Sequence, residues 1–369
     1  MGCIWGLAFG DVLGCPVESW DAAEIAAVYG TYGGIPAAYP ASVPVPRRAR
    51  LRPLGLHSDD TQQSLALLAV CLADTSQRGW TPAAWGRCLV EGARRKAWRG
   101  TGKYFDAAVQ RLGQGVEPQL AGSPSAGIGA AMRVAPLGAL YRDQSRRLAE
   151  VTLESSAMTH ADLRAIALAY AVAWASAALV NGRSVVQVRT ELPDAVAEAE
   201  DEWLHGKTAW NVDRASRHQL SLGLARVLAV AKEDVVALGA DVTRLAEPFM
   251  QKGFPRAHPN HAFALLGGLY GLAAGLALNV EPNAALLAIV RQGADTDTVA
   301  AIAGGVFGAR FGSAWVPRDQ IRDRVRIESY AQALVHRTVA PETVDVLLQH
   351  EAALTAQELA FQGETQWPR

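Results

Sequence analysis

Two short acidic segments contain residue types that can bind a divalent cation. The first is Ser58-Asp59-Asp60-Thr61 and the second is Asp295-Thr296-Asp297-Thr298, and each precedes a helical pattern. Neighbouring carboxylates repel one another unless a cation screens them, and burial increases the cost. Hard cations such as Mg²⁺ and Mn²⁺ prefer oxygen ligands. If the fold brings the segments together, they could form a two-metal site that activates water and orients a substrate.

The same residue types also suit the first turn of a helix, so capping is the alternative interpretation. Ser, Thr and Asp are favourable N-cap residues, and Asp in the first turn interacts favourably with the helix dipole. Asp60 and Gln63 have the spacing of a capping box. A cap needs only one side chain, however, and each segment supplies two carboxylates. A third carboxylate pair, Asp11 and Glu18, lies near the N-terminus.

Helical periodicity dominates the segments that must position these carboxylates. After Asp60, apolar residues recur at the i, i+3, i+4 and i+7 positions of one helix face, namely Leu65, Leu68, Ala69 and Leu72. Residues 165–174 are Ala-rich and predict a helix that is buried on most sides. Only residues 183–189 have the alternation of a short strand, and we therefore predict an all-α fold. Further helices are predicted at 218–236, 262–278, 283–291 and 298–311.

Two rows of glycines have a spacing of four residues, which places each row on one helix face. The rows are Gly2, Gly6, Gly10 and Gly14, and then Gly304, Gly308 and Gly312. An interior helical glycine costs about 1 kcal/mol relative to alanine, so another interaction must offset the rows. Bare faces allow helix backbones to approach closely. We predict close helix packing beside a site, although ordinary tight packing would explain the rows equally well.

The composition is typical of a globular protein with a large core. Of 369 residues, 50% are hydrophobic and the net charge is −1, which excludes a disordered chain and gives no global attraction to nucleic acid or acidic membranes. No long uncharged apolar run stands out, so we expect no membrane partner.

The basic run at 47–52 is expected to be a solvated loop. Cysteines without metal-binding spacing predict a cytoplasmic location, and these are Cys3, Cys15, Cys71 and Cys88.

We predict that residues 1–369 form a single domain. Residues 181–260 are more polar, and we expect them to form an insertion or peripheral helices. Residues 320–369 are expected to form a C-terminal helical tail. Two Gly- and Pro-rich segments, 31–57 and 113–127, predict long loops of the kind that often carry function. We expect the protein to be a monomer.

Five segments together resemble one known family. They are residues 2–18, Ser58-Asp59-Asp60-Thr61, residues 129–138, Thr159-His160 and residues 293–304. In the same order, they are similar to the family's opening helix, its Thr-Asp-Asp-Thr ligand motif, its ribose loop, its Thr-His pair and its second metal motif. The family is the ADP-ribosylglycohydrolases, which include the dinitrogenase reductase-activating glycohydrolases.

The resemblance implies an all-α domain with two Mg²⁺ (or Mn²⁺) ions in a cleft. The reaction it implies is hydrolysis of an N- or O-glycosidic bond at the anomeric carbon of ADP-ribose, with a modified protein, nucleic acid or small molecule as substrate. The metal ligands it implies are Ser58, Asp59, Asp60, Asp295, Asp297 and Thr298. The catalytic carboxylates it implies are Glu18, Asp59 and Asp60. The substrate-binding residues it implies are Ser125, Gly127, Gly129 and His160.

Three positions depart from the family pattern. Ser58 replaces the commoner Thr but keeps the hydroxyl, Ala294 replaces a usual Gly, and Ile128 stands where many members have Asn. Ile128 leaves the acceptor class open. The alternative functions are a non-catalytic ADP-ribose-binding or structural member of the family and a two-metal phosphohydrolase. Arg133 is compatible with either a phosphate contact or a structural ion pair.

Overall fold

The computed structural model describes residues 1–73, 80–230, 234–250 and 257–364. Within those ranges the regular structure is helical, apart from isolated β-bridges, and the prediction of an all-α fold is confirmed. The α-helices are α1 (Gly2–Gly14), α2 (Ala22–Tyr29), α3 (Val45–Arg48), α4 (Asp59–Leu72), α5 (Pro82–Arg94), α6 (Lys103–Gly113), α7 (Ala135–Leu140), α8 (Ser145–Ala157), α9 (Leu163–Val180), α10 (Val185–Gly206), α11 (Gln219–Ala229), α12 (Val235–Ala246), α13 (Leu269–Gly275), α14 (Pro282–Val290), α15 (Thr296–Phe311), α16 (Arg324–His336) and α17 (Val344–Glu364).

The two predicted glycine rows lie on α1 and α15 and face each other across an antiparallel helix pair. A Cβ on Gly6 would overlap the carbonyl oxygen of Gly304. Only glycine permits this approach, and the close packing offsets its poor helix propensity. At the other end of the pair, a Cβ on Gly14 would overlap the backbone of Asp297. The glycine rows therefore bring the end of α1 against the second acidic segment.

Helix α9 packs against α7, α8, α10 and α15. By length and composition alone this helix could cross a membrane, although it contains Arg164. However, 83% of the helix is buried within the protein. This burial is what its alanine-rich sequence predicts, because small side chains let neighbouring helices approach on several sides.

Residues 181–260 form α10, α11 and α12, with residues 231–233 and 251–256 outside the described ranges. These helices pack on one another and on α9 and α13. The strand-like alternation at 183–189 does not form a strand. Ser184 and Gln187 form a capping box that starts α10 there. The division of the chain into one domain with an insertion stays a prediction.

The C-terminal segment forms α16 and α17, and residues 365–369 lie outside the described ranges. Helix α17 packs on α4 and α5. Leu347 and Leu348 of α17 are fully buried. The segment predicted as a tail is therefore packed against the helix that begins with the first acidic segment.

Candidate active site

A fully buried carboxylate on α1 holds the first acidic segment in place. Asp11 accepts hydrogen bonds from the backbone N–H groups of Ser58 (2.9 Å) and Thr61 (3.0 Å) and from the Thr61 hydroxyl (2.6 Å). The Cys15 thiol donates a further bond at 3.1 Å. The sequence draws attention to Asp11 as a carboxylate but gives it no role. The structure shows that it orients the turn that begins α4.

Ser58 caps α4, as the capping interpretation predicts, but capping leaves a carboxylate oxygen unused. The Ser58 hydroxyl accepts from the Asp60 N–H (3.2 Å) and donates to Asp60 Oδ2 (2.7 Å). Asp60 Oδ1 is buried and has no hydrogen-bond partner among the described residues. An unpartnered buried oxygen is costly. A cation at this oxygen would remove that cost.

The second acidic segment begins α15, and backbone hydrogen bonds fix it beside the loop that carries Glu18. The Ser19 N–H donates to the Ala294 carbonyl and the Ala294 N–H donates to the Trp20 carbonyl, both at 2.7 Å. Ala294 has a φ of 64°, in the left-handed region that favours glycine. This backbone conformation explains why glycine is expected at position 294. Backbone strain of this kind clusters at functional sites.

The acidic segments, which together with Glu18 we call the acidic wall, border one cleft of about 920 Å³ with the glycine turn at 125–129, which together with His160 we call the glycine wall. Ser58 and Asp60 belong to the acidic wall but are buried next to Asp59 and do not themselves line the cleft. The structure thus gathers the residues that the sequence singles out, although they are far apart along the chain. The predicted site residues on the wall are Glu18, Asp59, Ser125, Gly127, Gly129, His160, Asp295, Asp297 and Thr298.

Burial and crowding raise the pKa values of the acidic side chains. Burial, together with neighbouring carboxylates, raises the pKa of Asp59 to about 7 and the pKa of Asp295 to about 6. The same causes raise the pKa values of Asp60 and Asp297 well above the usual range of a carboxyl. A bound divalent cation would stabilise the ionised forms and reverse these shifts.

One guanidinium lies inside the acidic cluster, which corrects the prediction that residues 47–52 form a solvated loop. Arg52 is only 5% exposed. Its terminal nitrogens lie 3.5 Å from Glu18 Oε2 and 3.6 Å from Asp297 Oδ2. Its Nε donates to Glu358 at 3.2 Å. The prediction fails for Arg52 because its partners come from distant parts of the sequence, which a local charge pattern does not reveal.

The donor atoms of the acidic cluster fit a hard divalent cation. They are mainly carboxylate and hydroxyl oxygens, the ligands that Mg²⁺ and Mn²⁺ prefer. One ligand atom from each of Asp11, Cys15 and Asp297 lies within 4.8 Å of the others, although only Asp297 is a predicted ligand and Arg52 donates to Cys15 Sγ at 3.0 Å. A second cluster with such spacing surrounds Glu351, but two arginine side chains already bind that carboxylate. Both clusters thus have an arginine neighbour, and among the described residues the cleft is the better candidate metal centre because the predicted ligands and the buried Asp60 oxygen without a partner lie there.

Another wall of the cleft is a glycine-containing turn next to His160. The Gly127 N–H donates to the Ser125 hydroxyl at 3.2 Å. A Cβ on Gly129 would lie 3.2 Å from His160 Cε1, so a side chain there would crowd the ring. Burial, and then the charge of Arg133, lowers the pKa of His160 to about 3. The ring is therefore neutral.

Arg133 is neither the phosphate contact nor the ion-pair residue that the sequence leaves open. It is fully buried and donates to Gln63 Oε1 at 2.6 Å and to the Thr159 hydroxyl at 2.9 Å. The Gln63 amide donates to Asp59 at 2.8 Å, and the Thr159 hydroxyl bonds to His160 Nδ1 at 2.9 Å. Arg133 therefore joins the acidic wall to the glycine wall through hydrogen bonds.

Ile128 borders the cleft, but its side chain is only 2% exposed. A Cβ on Gly268 would lie 3.0 Å from Ile128 Cγ2. The isoleucine therefore packs into the core beside the short π-helical turn Ala264–Gly268. This position favours a packing role over direct contact with an acceptor.

Comparisons with known proteins show which family the chain is similar to. Residues 1–343 match the model of the ADP-ribosylglycohydrolase family. The uncharacterized protein YegU of Escherichia coli (strain K12) is 26% identical over 331 residues, which are 85% of this chain and 87% of that protein. An uncharacterized protein of Archaeoglobus fulgidus is 28% identical over 343 residues, which are 90% of this chain and 94% of that protein.

A solved structure described as an ADP-ribosylglycohydrolase-related protein complex has a similar fold. Its TM-score is 0.60 at 24% sequence identity, over 91% of this chain and 96% of that chain. At this identity the likeness concerns the fold, and the chemistry must be argued from the cleft.

Proposed function

The chain belongs to the ADP-ribosylglycohydrolase family, and from that premise we propose that it is a Mg²⁺-dependent hydrolase that removes ADP-ribose from a modified acceptor. The bond broken is N- or O-glycosidic, at the anomeric carbon. The observation that carries the proposal is the single cleft that joins the acidic cluster to the glycine turn and His160. A volume of about 920 Å³ suits a ligand of dinucleotide size.

The proposed cofactors are two Mg²⁺ (or Mn²⁺) ions. Divalent cations bound there would supply Lewis acidity and would orient the ribose hydroxyls and a water molecule. The Asp60 oxygen, which has no partner among the described residues, and the raised carboxyl pKa values support this assignment. The residues that would hold the ions are Ser58, Asp59, Asp60, Asp295, Asp297 and Thr298.

The protein's own groups then position the substrate and move a proton. Glu18, whose side chain is 32% exposed and faces the cleft, would accept a proton from the attacking water. Asp59, held by Gln63, and Asp60, held by Ser58, would keep the acidic wall in place during the reaction. The backbone N–H groups of the glycine turn would bind the diphosphate, and neutral His160 would line the nucleotide side.

The alternative of a non-catalytic ADP-ribose-binding member receives less support. Such a protein would be expected to lose a metal ligand, whereas all six ligand positions keep an oxygen donor. A two-metal phosphohydrolase would account for the acidic cluster but gives no reason for the glycine turn against His160.

The experiment is an assay of ADP-ribose release from arginine-, serine- and base-linked ADP-ribose. Each substrate is incubated with the protein in Mg²⁺ and, separately, in EDTA. We expect release from at least one linkage in Mg²⁺, loss in EDTA and recovery when Mn²⁺ or Mg²⁺ is restored. Full activity in exhaustively chelated protein would contradict the metal requirement. Binding of ADP-ribose without release from any linkage would favour the non-catalytic alternative.

A further inference from the structure

Helix α17 lies beyond residues 1–343, which match the family, yet one of its faces carries buried polar groups. Glu351, Thr355 and Glu358 are separated by four and then three residues, so they share a helix face. Glu351 is fully buried and Glu358 is 7% exposed. Because buried carboxylates must be paired, their partners show what this helix holds.

Glu351 and Thr355 bind Arg99, and Arg99 binds the backbone directly before the first acidic segment. Arg99 NH2 donates to Glu351 at 2.5 Å and NH1 donates to the Thr355 hydroxyl at 3.0 Å. Its Nε donates to the backbone carbonyl of His57 at 2.9 Å. His57 directly precedes Ser58, so these bonds connect α17 to the backbone from which the segment starts.

Glu358 holds Arg52, which reaches both sides of the acidic cluster. The Nε of Arg52 donates to Glu358 at 3.2 Å, while its terminal nitrogens lie 3.5 Å from Glu18 and 3.6 Å from Asp297. Glu18 follows α1 and Asp297 lies in α15. One guanidinium thus connects α17 to carboxylates on two other elements.

The position of Arg52 affects any cation in the cleft, because a guanidinium close to Asp297 competes for the same carboxylate oxygens. Glu358 binds the Nε of Arg52 and partly neutralises its charge. Without Glu358, Arg52 would be attracted more strongly to Glu18 and Asp297. The expected result is weaker cation binding and a displaced Glu18.

We propose that α17 is a built-in positioning element of the active site, with Glu358 acting through Arg52 and Glu351 acting through Arg99. This inference rests on the proposed function, because the groups that α17 positions are the proposed metal ligands and the proposed proton acceptor. Glu351 and Glu358 are not among the described residues that line the cleft, so they are positioning residues. The part of the chain that matches the family model would here depend on a helix outside that match.

The test replaces Glu358→Gln, which keeps the side-chain size and removes the charge, in the full chain. Mn²⁺ binding is measured by titration and electron paramagnetic resonance, which does not require hydrolysis. We expect the Kd for Mn²⁺ to rise about 10- to 100-fold, the usual effect of losing an outer partner of a metal site. Where the wild type is active, kcat should fall by a similar factor while KM changes little, because the glycine wall is untouched.

The matched control is Asp345→Asn, which removes a carboxylate from the same helix. Asp345 pairs with Arg95, and its side chain is 66% exposed. Its Mn²⁺ affinity and kinetic constants should equal those of the wild type. If Glu358→Gln fails to fold, Glu358→Asp takes its place, because it keeps the charge and shortens the side chain. An intermediate Kd would then support the proposal, and a wild-type Kd would overturn it.

Two outcomes separate this inference from the proposed function. If the wild type binds Mn²⁺ but releases ADP-ribose from no substrate, the proposed function fails and the Mn²⁺ comparison still decides the role of α17. If Glu358→Gln lowers the melting temperature but binds Mn²⁺ as tightly as the wild type, α17 is only a stabilising helix and the inference is overturned.

Discussion

The acidic wall and the glycine wall of the cleft satisfy their polar groups in different ways. On the acidic wall, Asp60 keeps a buried oxygen without a partner among the described residues, and burial raises the pKa of Asp297 well above its usual range. On the glycine wall, Ser125 bonds to Gly127 and Thr159 bonds to neutral His160. The comparison indicates that the acidic wall has a buried oxygen and crowded carboxyls that a bound cation would satisfy, whereas the polar groups of the glycine wall already have partners within the protein.

Removing one carboxylate from the acidic wall should have the largest effect. Asp60→Asn or Asp297→Asn should lower kcat/KM by more than about a hundredfold, beyond the usual loss for an outer partner. The melting temperature in EDTA should rise, because fewer like charges are crowded together. Kinetics and thermal melts check both expectations.

A surface substitution provides the control for these variants. Asp143→Asn removes a carboxylate whose side chain is 55% exposed. It should change neither kcat/KM nor the melting temperature in EDTA. If Asp60→Asn or Asp297→Asn instead unfolds the protein in EDTA, these carboxylates are structural caps first. Wild-type activity in either variant would refute the metal assignment.

The next effect concerns Asp11, which supports the acidic wall without lining the cleft. Asp11→Asn would place an amide against the donors of Ser58 and Thr61, so the segment should shift. We expect kcat/KM to fall about 10- to 100-fold, with a weaker Mn²⁺ affinity. Isothermal titration and steady-state kinetics measure the two changes. An Asp11→Asn variant with normal Mn²⁺ affinity would show that the turn does not depend on this carboxylate.

A smaller effect is expected on the glycine wall. Gly129→Ala places a Cβ 3.2 Å from His160 Cε1 and should raise KM for an ADP-ribosyl substrate about tenfold, since crowding a packed site costs about 1 kcal/mol or more. Mn²⁺ affinity should not change. Gly102→Ala is the control, because no atom of the described part of the chain lies within 4 Å of its added Cβ. A loss of Mn²⁺ affinity in Gly129→Ala would show that the two walls are not independent.

The smallest effect is the pH dependence of stabilisation by Mg²⁺. Burial raises the pKa of Asp59 to about 7 and of Asp295 to about 6, so without metal the folded chain holds protons that the unfolded chain releases. These protonated carboxyls add to the free energy of unfolding at low pH. That addition is lost as pH rises through 6 to 7. Mg²⁺ replaces those protons, so its effect on the melting temperature should grow between pH 6 and pH 8. If Mg²⁺ raised the melting temperature by the same amount over this range, Mg²⁺ and the protons of Asp59 and Asp295 would not share a site.

The sequence predicts the local chemistry better than the long-range contacts. The glycine rows and acidic segments are visible because their spacing carries the signal. The role of Arg52 is not visible in the sequence, because its bond to Glu358 joins residues 306 positions apart. The local run of arginines instead predicts exposure to solvent. Arg133 is similar, because it bonds to Gln63 across 70 positions. The strand-like pattern at 183–189 misleads because the capping box at Ser184 decides the local structure.

The central claim is that the two acidic segments form one divalent-cation centre, and counting bound Mn²⁺ tests it most directly. Titration of the wild type, Asp59→Asn and Asp297→Asn places one substitution in each segment. We predict two Mn²⁺ per wild-type chain and weakened binding in both variants, because each segment supplies ligands to the same centre. Mn²⁺ binding that equals the wild type in either variant, or no saturable binding to the wild type, would contradict the account.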